Sequence, residues 1–242
     1  MIADESARAR ETPRIRARRA TIAEILAVAK TQIAADGASS LSLRAIAREL
    51  NMTSSAIYRY FTSRDELLTD LLVDVYNELG EAVEQADATA VQQSALDRWR
   101  LVCSTIRTWA RKNPTSYALL FGSPVPGYEA PPERTVPPAT RTTTVFLLIL
   151  ADGHAHGDIE LGPSRSGVKV VDAELTRLRG EVAPGLPMMI VGRAVAAWMS
   201  VFGLVSFEVF GQTHNVLNDH DAFFRFATDE LARSIGFRVP RR

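Results

Sequence analysis

The fold is decided by the segment LSLRAIARELNMTSSAIYRYFTSRDEL, which runs from Leu41 to Leu67. It contains two short amphipathic patterns separated by a polar turn at Asn51. The apolar residues of each pattern recur at helical spacing, so one face of each helix can be buried. The segment therefore predicts a helix, a turn and a second helix. The residues that define the two patterns are Leu43, Ile46, Ala47 and Leu50 in the first, and Ile57, Tyr58 and Phe61 in the second, which begins at Thr53, Ser54 or Ser55.

A third helix is predicted directly after this pair. Ser63 and Glu66 stand in the order of a capping box, in which each side chain bonds a free N–H group of the first turn. Apolar residues then recur at helical spacing to about residue 84. Upstream, a helix over about 16–35 is predicted to stop at Gly37, which can take the left-handed conformation.

The rest of the chain is predicted to be helical as well. No stretch shows the alternation of a strand, so the fold class is all-α. Residues 122–138 are proline-rich and are predicted to form a long irregular loop. The further predicted helices cover about 91–112, 115–121, 140–150, 171–179, 188–210 and 220–235.

We expect an N-terminal three-helix helix-turn-helix domain followed by a larger helical domain. Residues 1–15 lack an apolar period and are predicted to be a disordered arm. Residues 16–62 form the predicted DNA-binding domain, and residues 63–242 the predicted ligand-binding and dimerisation domain.

The charge of the chain is unevenly distributed. The net charge is zero, but residues 1–64 carry eleven Lys and Arg against six Asp and Glu, which gives +5 and leaves −5 for the remainder. A surface that binds a polyanion is therefore expected in the first quarter of the chain. Cys103 is the single cysteine, and no signal peptide is visible, so a cytoplasmic protein is expected. The longest strongly apolar run, Ala194 to Phe207, is too short for the roughly 18–20 residues that cross a bilayer.

The helix-turn-helix pattern favours DNA binding over an ordinary helical corner, which is the alternative reading of the same residues. A helix that enters the major groove needs small polar residues at its start, and Thr53 to Ser55 provide them. Donors to phosphate fix its register, and Tyr58, Tyr60, Thr62 and Arg64 follow at suitable spacing. The arginines at the start of the first helix, Arg16, Arg18 and Arg19, are also expected to contact phosphate.

Residues 16–72 resemble the DNA-binding domain of the tetracycline-repressor (TetR) family. The resemblance rests on ILAVAK from Ile25, LRAIAREL from Leu43, TSSAIYRYF from Thr53 and SRDELL from Ser63. It implies a homodimeric transcriptional regulator, released from DNA by a ligand, that binds a pseudo-palindromic operator. It also implies contacts of Arg44, Thr53, Ser54, Ser55 and Tyr58 with bases or nearby backbone, and of Tyr60 and Arg64 with phosphates. Ser42, the predicted N-cap of the Leu43 helix, completes the predicted DNA-contacting set.

The C-terminal part of the chain is predicted to bind a ligand and to form a dimer. WMSVFGLVSFEVFG, from Trp198 to Gly211, resembles a helix of the family's WHG-type C-terminal domain, although Phe202 replaces the usual histidine. The helices over 188–210 and 220–235 are predicted to form a four-helix bundle with those of a second copy. An apolar or aromatic effector is expected, and the predicted pocket residues are Trp99, Trp109, Tyr117, Phe121, Phe146, Met189, Trp198 and Phe202.

Two alternatives remain at the level of sequence. Asp152, His154, His156 and Asp158 have the residue types of metal ligands, which leaves open a metal-assisted all-α enzyme. A flexible glycine-flanked loop favours a polar turn instead. The other alternative is an architectural DNA-binding protein without an effector. No cofactor motif is recognised, and we predict no cofactor, no metal and no enzymatic activity.

Overall fold

The structure, a computed structural model, describes residues 12–161 and 172–240. Most of the predicted N-terminal arm, residues 1–11, lies outside the described residues. Over the described part the chain is all-α, as predicted, and its β-type pairing is a single isolated bridge between Ile159 and Phe237. The helices are α1 (Pro13–Asp36), α2 (Leu43–Glu49), α3 (Ser54–Ile57), α4 (Arg64–Thr89), α5 (Ala95–Lys112), α6 (Pro114–Phe121), α7 (Pro132–Ala139), α8 (Arg141–Ala155), α9 (Asp172–Val182), α10 (Met188–Val209) and α11 (His220–Ile235).

Three helix boundaries differ from the predictions for physical reasons. α1 begins at Pro13 because the Thr12 hydroxyl accepts the Ile15 N–H and proline tolerates the first helical position, which needs no N–H bond. The predicted loop over 122–138 contains most of α7, which likewise starts on a proline, Pro132. α8 continues to Ala155, so the predicted turn at residues 152–155 is helical.

The described chain divides into two compact units. The first comprises residues up to Asp74 together with Ala118–Thr135, and the second comprises Val75–Tyr117 and Val136 onwards. The segment Ala118–Thr135 thus joins the helix-turn-helix unit, although it lies within the range predicted as the ligand-binding domain. The chain passes between the units at three points, one of them inside α4.

The core of the first unit is built from the apolar faces that the sequence predicts. Ile46, Ile57 and Phe61 are completely or almost completely buried and hold the two short helices together. Burial of side chains of this size contributes roughly 1.5–3 kcal/mol each. The same cluster contains Ile25, Leu26, Ala29, Ile33, Leu41, Leu43, Ala47, Leu67, Leu68 and Leu71, with Leu119, Val125 and Tyr128 packed against it.

Several residues that were predicted to line a ligand pocket are buried in the core of the second unit. Trp99 is fully buried, packs against Phe146 at 5.1 Å between ring centroids, and donates its indole N–H to the Thr228 carbonyl. Tyr117 is also fully buried, its hydroxyl donates to the Phe202 carbonyl, and burial raises its pKa to about 12. These side chains have protein partners and stabilise the helix packing.

The remaining predicted pocket residues are divided between the two units. Phe121 falls in the first unit, so it does not share a compact unit with the other seven. Trp109, Met189 and Trp198 are half-buried, and Trp198 lies 5.4 Å from the ring of Phe202. The predicted set is therefore split rather than gathered in one place, because helical periodicity does not show which helices become neighbours.

α10 is the most apolar helix of the described chain. With 22 residues it is long and apolar enough, by length and composition alone, to cross a membrane. The sequence prediction considered only the most apolar run, Ala194 to Phe207, within this helix. A core helix meets the same criterion, and α10 buries Ile190, Val191, Ala194, Ala197, Val201, Phe202 and Val205 within its own unit.

Candidate nucleic-acid interface

The turn between α2 and α3 fixes the geometry of the helix pair. Asn51 adopts a φ of 52°, a left-handed conformation that asparagine tolerates better than most residues. The chain then reverses so that the Met52 N–H donates to the Ala47 carbonyl at 2.8 Å. α3 starts at Thr53, whose hydroxyl accepts the Ala56 N–H at 3.2 Å. The predicted helix-turn-helix is present, and α3 is a single helical turn followed by a further turn over residues 58–60.

The five residues predicted to read DNA lie on the exposed surface of this pair. None is used in the core of the first unit, and Tyr58 keeps 42% of its surface exposed despite its size. An exposed aromatic residue among small polar side chains suits contact with a groove rather than packing. The five exposed residues are Arg44, Thr53, Ser54, Ser55 and Tyr58.

Arg18 lies beside the end of α3. Its guanidinium stands 5.2 Å from the ring centroid of Tyr60 and donates to the Arg59 carbonyl. Tyr60 is half-buried and packs against the core cluster. The cation–π contact therefore connects the exposed N-terminal part of α1 to the segment that follows α3.

Two of the predicted contact residues also have structural partners. Arg64 donates to the Ala38 carbonyl at 3.0 Å and to the Ser39 carbonyl at 3.4 Å, which fastens the short 3₁₀ turn before α2. Its other terminal nitrogen, Nη1, lies 3.5 Å from the Asp65 carboxylate. Ser42 caps α2 as predicted, and its hydroxyl accepts the Ala45 N–H. Its own N–H donates to the Gln32 side chain, a contact with no signal in the sequence.

One half of the predicted capping box is present at the start of α4, and the other half is replaced by bonds between Glu66 and Thr62. The Ser63 hydroxyl accepts the Glu66 N–H at 3.1 Å, while the Glu66 carboxylate accepts from both the hydroxyl and the N–H of Thr62 at 2.6 Å. The Thr62 hydroxyl, followed by its N–H, lowers the pKa of Glu66 below the ordinary value of 4.5. These bonds fix the start of the helix that follows the recognition segment.

Glu66→Gln tests this cap through the pH dependence of stability. A carboxylate whose pKa is lower in the folded state stabilises the fold above its unfolded pKa, and that contribution is lost as the pH falls through the folded pKa. We expect the wild-type protein to lose more stability than Glu66→Gln between pH 6 and pH 3. Urea unfolding at a series of pH values measures this difference, and parallel curves would exclude the role of Glu66.

The structure adds Arg14 and Arg59 to the cationic residues that were predicted to contact phosphate. Arg14 lies in the first turn of α1 beside Arg16, and residues 12–20 are all exposed. Arg59 is exposed after α3. Charge counting places these residues in the basic quarter of the chain, but only the early start of α1 at Pro13 puts Arg14 on a helix.

The segment Ala118–Thr135 supports α4 within the first unit. The Tyr128 and Thr69 hydroxyls are hydrogen-bonded at 2.9 Å, and Arg134 forms an ion pair with Asp70. No sequence pattern indicated these contacts, because the partners lie about sixty residues apart.

The residues of the predicted metal alternative have other roles. The Asp152 carboxylate accepts a hydrogen bond from Arg98 at 2.7 Å. The backbone carbonyl oxygen of Asp152 lies 2.8 Å from the Nδ1 atom of His156. Gly153 is buried in α8, where a Cβ atom would stand 2.9 Å from Ala95. Within residues 12–161 and 172–240 no group of three or more His, Cys, Asp or Glu is arranged to hold a metal ion.

Arg98 links three helices of the second unit. It is 6% exposed, makes two bonds of 2.8 and 2.9 Å with the Asp87 carboxylate, and makes a third with Asp152.

Removing one partner of a buried ion pair costs roughly 3–5 kcal/mol, and the exposure of Asp152 places the Arg98 ion pairs near the lower end of this range. We expect Arg98→Ala to lower the free energy of unfolding by about 3 kcal/mol in urea titrations. Arg177→Ala, at an exposed position of α9, should change it by less than about 0.5 kcal/mol.

These features define a class of protein: an all-α DNA-binding regulator whose helix-turn-helix presents small polar side chains at the start of its second helix. Residues 25–71 match the family described as bacterial regulatory proteins, tetR family, and residues 99–231 match the tetracyclin repressor-like C-terminal domain. The chain belongs to the TetR family of transcriptional regulators. It is a regulator and not an enzyme.

Similar proteins of known sequence or structure support this family assignment. The chain is 43% identical over 190 residues to the HTH-type transcriptional regulator Rv1816 of Mycobacterium tuberculosis, covering 78% of this chain and 81% of that protein. It is 34% identical to the regulatory protein SCO4313, with a TM-score of 0.73 and coverage of 91% and 98%. A tetR-family regulatory protein from Rhodococcus RHA1, 21% identical with a TM-score of 0.60 and coverage of 90% and 98%, shares the fold.

Proposed function

We propose that this regulator is a cytoplasmic homodimeric repressor that leaves a pseudo-palindromic operator when a small apolar or aromatic effector binds. The proposal rests chiefly on the exposed face of the helix-turn-helix, where Arg44, Thr53, Ser54, Ser55 and Tyr58 have solvent-exposed side chains. In this arrangement α3 reads bases in the major groove. The proposed division assigns DNA binding to residues 16–62 and places effector binding and dimerisation within residues 63–242.

Apolar side chains on α10 and α11 support dimerisation. Met199 and Phe207 on α10 are 59% and 54% exposed, and Phe223 on α11 is 38% exposed. Large exposed apolar groups on adjoining helices mark a surface that another protein covers. A second copy of the same face fits, because a two-fold interface is self-complementary.

Trp198 supports an effector site in the second unit. Its indole Nε1 atom is buried but has no hydrogen-bond partner among the described residues. An unpaired buried donor is costly, roughly 1–3 kcal/mol, so a ligand with an acceptor atom would satisfy it. The half-buried ring packs with Phe202 and provides an apolar wall. The effector we propose is therefore aromatic or apolar with at least one hydrogen-bond acceptor.

Selection of bound DNA from a random pool tests the proposed function. A dimer with two recognition helices should select half-sites whose centres lie about 34–36 Å apart, one helical turn of DNA. A screen of small aromatic molecules against the selected operator, read by fluorescence anisotropy, should then identify compounds that release the protein. Selection of single half-sites, or of no sequence, would contradict the proposal.

The start of α1 is proposed as an additional phosphate-binding element. Arg14, Arg16, Arg18 and Arg19 occupy its first two turns, and no acidic residue precedes Glu24 in this helix. Cations at a helix N-terminus oppose the helix dipole, and the arginines at positions 14 and 18 repel each other at i,i+4 spacing. Such a locally unfavourable arrangement is expected where a polyanion binds.

Arg14→Gln combined with Arg16→Gln should reduce the salt dependence of operator binding. Each lost phosphate contact lowers the slope of log K against log salt by about 0.9, so a dimer that loses two contacts in each protomer should lose about 3.6. Anisotropy titrations between 50 and 300 mM KCl measure the slope. The single Arg177→Gln variant on α9 should retain the wild-type slope, and an unchanged slope in the double variant would remove α1 from the interface.

A further inference from the structure

An open groove lies between α5 and α11 in the second unit. Its volume is about 1230 Å³, larger than the roughly 300–1,000 Å³ typical of sites for small ligands. None of the eight predicted pocket residues lines it. The groove is lined by five arginines, which are Arg100, Arg107, Arg111, Arg225 and Arg233.

Two ion pairs bridge the groove from one helix to the other. Arg100 of α5 bonds to Asp229 of α11 at 2.7 Å, and Arg107 of α5 bonds to Asp221 of α11 at 2.7 Å. Arg107 also binds Glu208 of α10 at 2.6 Å. The partners run in opposite directions along the two helices, so these bridges hold α5 and α11 antiparallel with the groove between them.

Three guanidinium groups surround the carboxylate of Asp221. Arg107 contacts it directly, Arg111 lies 3.6 Å away, and Arg225 is close enough for its charge to act on it. The hydrogen bond from Arg107, with the charges of the neighbouring arginines, lowers the pKa of Asp221. Its side chain is nevertheless 62% exposed. Arg225 forms no ion pair with a described residue. This end of the groove therefore already stabilises one carboxylate, that of Asp221, with guanidinium groups from both helices.

The same groove offers apolar and hydroxyl groups beside the cations. Phe226 is 59% exposed, and the buried Phe224 ring lies 5.0 Å from the Arg107 guanidinium. Ser104 and Thr108 are exposed on the α5 wall. An anionic group can thus bind to arginine while an attached flat apolar group packs against the aromatic wall.

We propose that this groove is a binding site for small aromatic carboxylates, with Arg111 and Arg225 holding the carboxylate and Phe226 contacting the ring. Guanidinium groups bind carboxylates through paired, charge-assisted hydrogen bonds, which fits an acid better than a neutral amide of the same shape. This site is distinct from the effector site proposed beside Trp198. Its occupancy does not depend on operator binding.

Ligand-observed ¹⁹F NMR with the full-length protein tests the site. The probes are 4-(trifluoromethyl)benzoate and the neutral, nearly isosteric 4-(trifluoromethyl)benzamide. We expect the benzoate to bind about tenfold more tightly than the benzamide, the effect of one charge-assisted contact. The variant Arg111→Gln with Arg225→Gln should remove that preference, whereas Arg177→Gln on α9 should keep it.

A second variant separates ligand binding from a folding defect. Asp221→Asn removes the carboxylate that competes for Arg111 and Arg225, so it should bind the benzoate more tightly than the wild type. Far-UV circular dichroism of Asp221→Asn, which should match the wild type, identifies a folding defect. Equal binding of the two probes, an unchanged preference in the double arginine variant, or weaker benzoate binding by a folded Asp221→Asn protein would each overturn the proposal. Operator binding by the same variants, measured separately, shows whether the DNA-binding function is intact.

Discussion

Arg44→Ala and Tyr58→Ala will each weaken binding to the selected operator by about 10- to 100-fold. A side chain that contacts a base edge contributes roughly 1–3 kcal/mol of discrimination, which corresponds to this range. Both side chains are exposed on the helix-turn-helix, so their removal takes nothing from the buried core of the first unit. Fluorescence anisotropy with operator and with scrambled DNA measures the effect, which should be larger on the operator.

Two controls make this result specific. The thermal midpoints of both variants should match the wild type, since surface substitutions of this kind change stability by less than about 0.5 kcal/mol. Arg177→Ala, on the exposed surface of α9 in the second unit, should leave operator affinity unchanged. If neither Arg44→Ala nor Tyr58→Ala alters operator affinity, these residues of the helix-turn-helix do not read the DNA.

Phe207→Glu will convert the proposed dimer into a monomer. Phe207 is 54% exposed on α10, so glutamate is tolerated in an isolated chain but would place two charges in a two-fold interface. A monomer engages one half-site, and the loss of the second site should reduce operator affinity by about 10²- to 10⁴-fold. Sedimentation velocity measures the oligomeric state, and anisotropy measures the affinity.

Leu148→Glu is the matched control for this prediction. Leu148 is 43% exposed on α8, away from the apolar residues of α10 and α11 in sequence, and glutamate there should leave a dimer with wild-type affinity. Far-UV circular dichroism should show the same helical content in both variants. A Phe207→Glu protein that remains dimeric would exclude this face as the interface.

The local features of the DNA-binding unit could be predicted from sequence because they depend on near neighbours. Ser42 and Ser63 cap helices within three residues, and the burial of Ile46, Ile57 and Phe61 follows from helical periodicity. The resemblance to the TetR family was recognised from the same short motifs. The family model that matches residues 25–71 confirms it. Site roles for the exposed residues remain proposals that the operator experiments test.

Contacts between distant segments could not be predicted in this way. Arg193 and Glu208 both lie on α10, and no local pattern identifies their partners. In the structure Arg193 donates to the Ile235 carbonyl, and Glu208 pairs with Arg107 of α5. Asp152 looked like a metal ligand by residue type, yet it binds Arg98, fifty-four positions earlier.

By itself, the sequence determined the all-α class, the helix-turn-helix, its caps and the basic first quarter of the chain. These properties follow from residue spacing and local hydrogen bonding, which act over a few positions. Only the tertiary structure decided that Ala118–Thr135 joins the DNA-binding unit, that Trp99 and Tyr117 are bonded within the core, and that five arginines share one groove. Those outcomes depend on which helix faces become neighbours, and periodicity identifies an apolar face without identifying its partner.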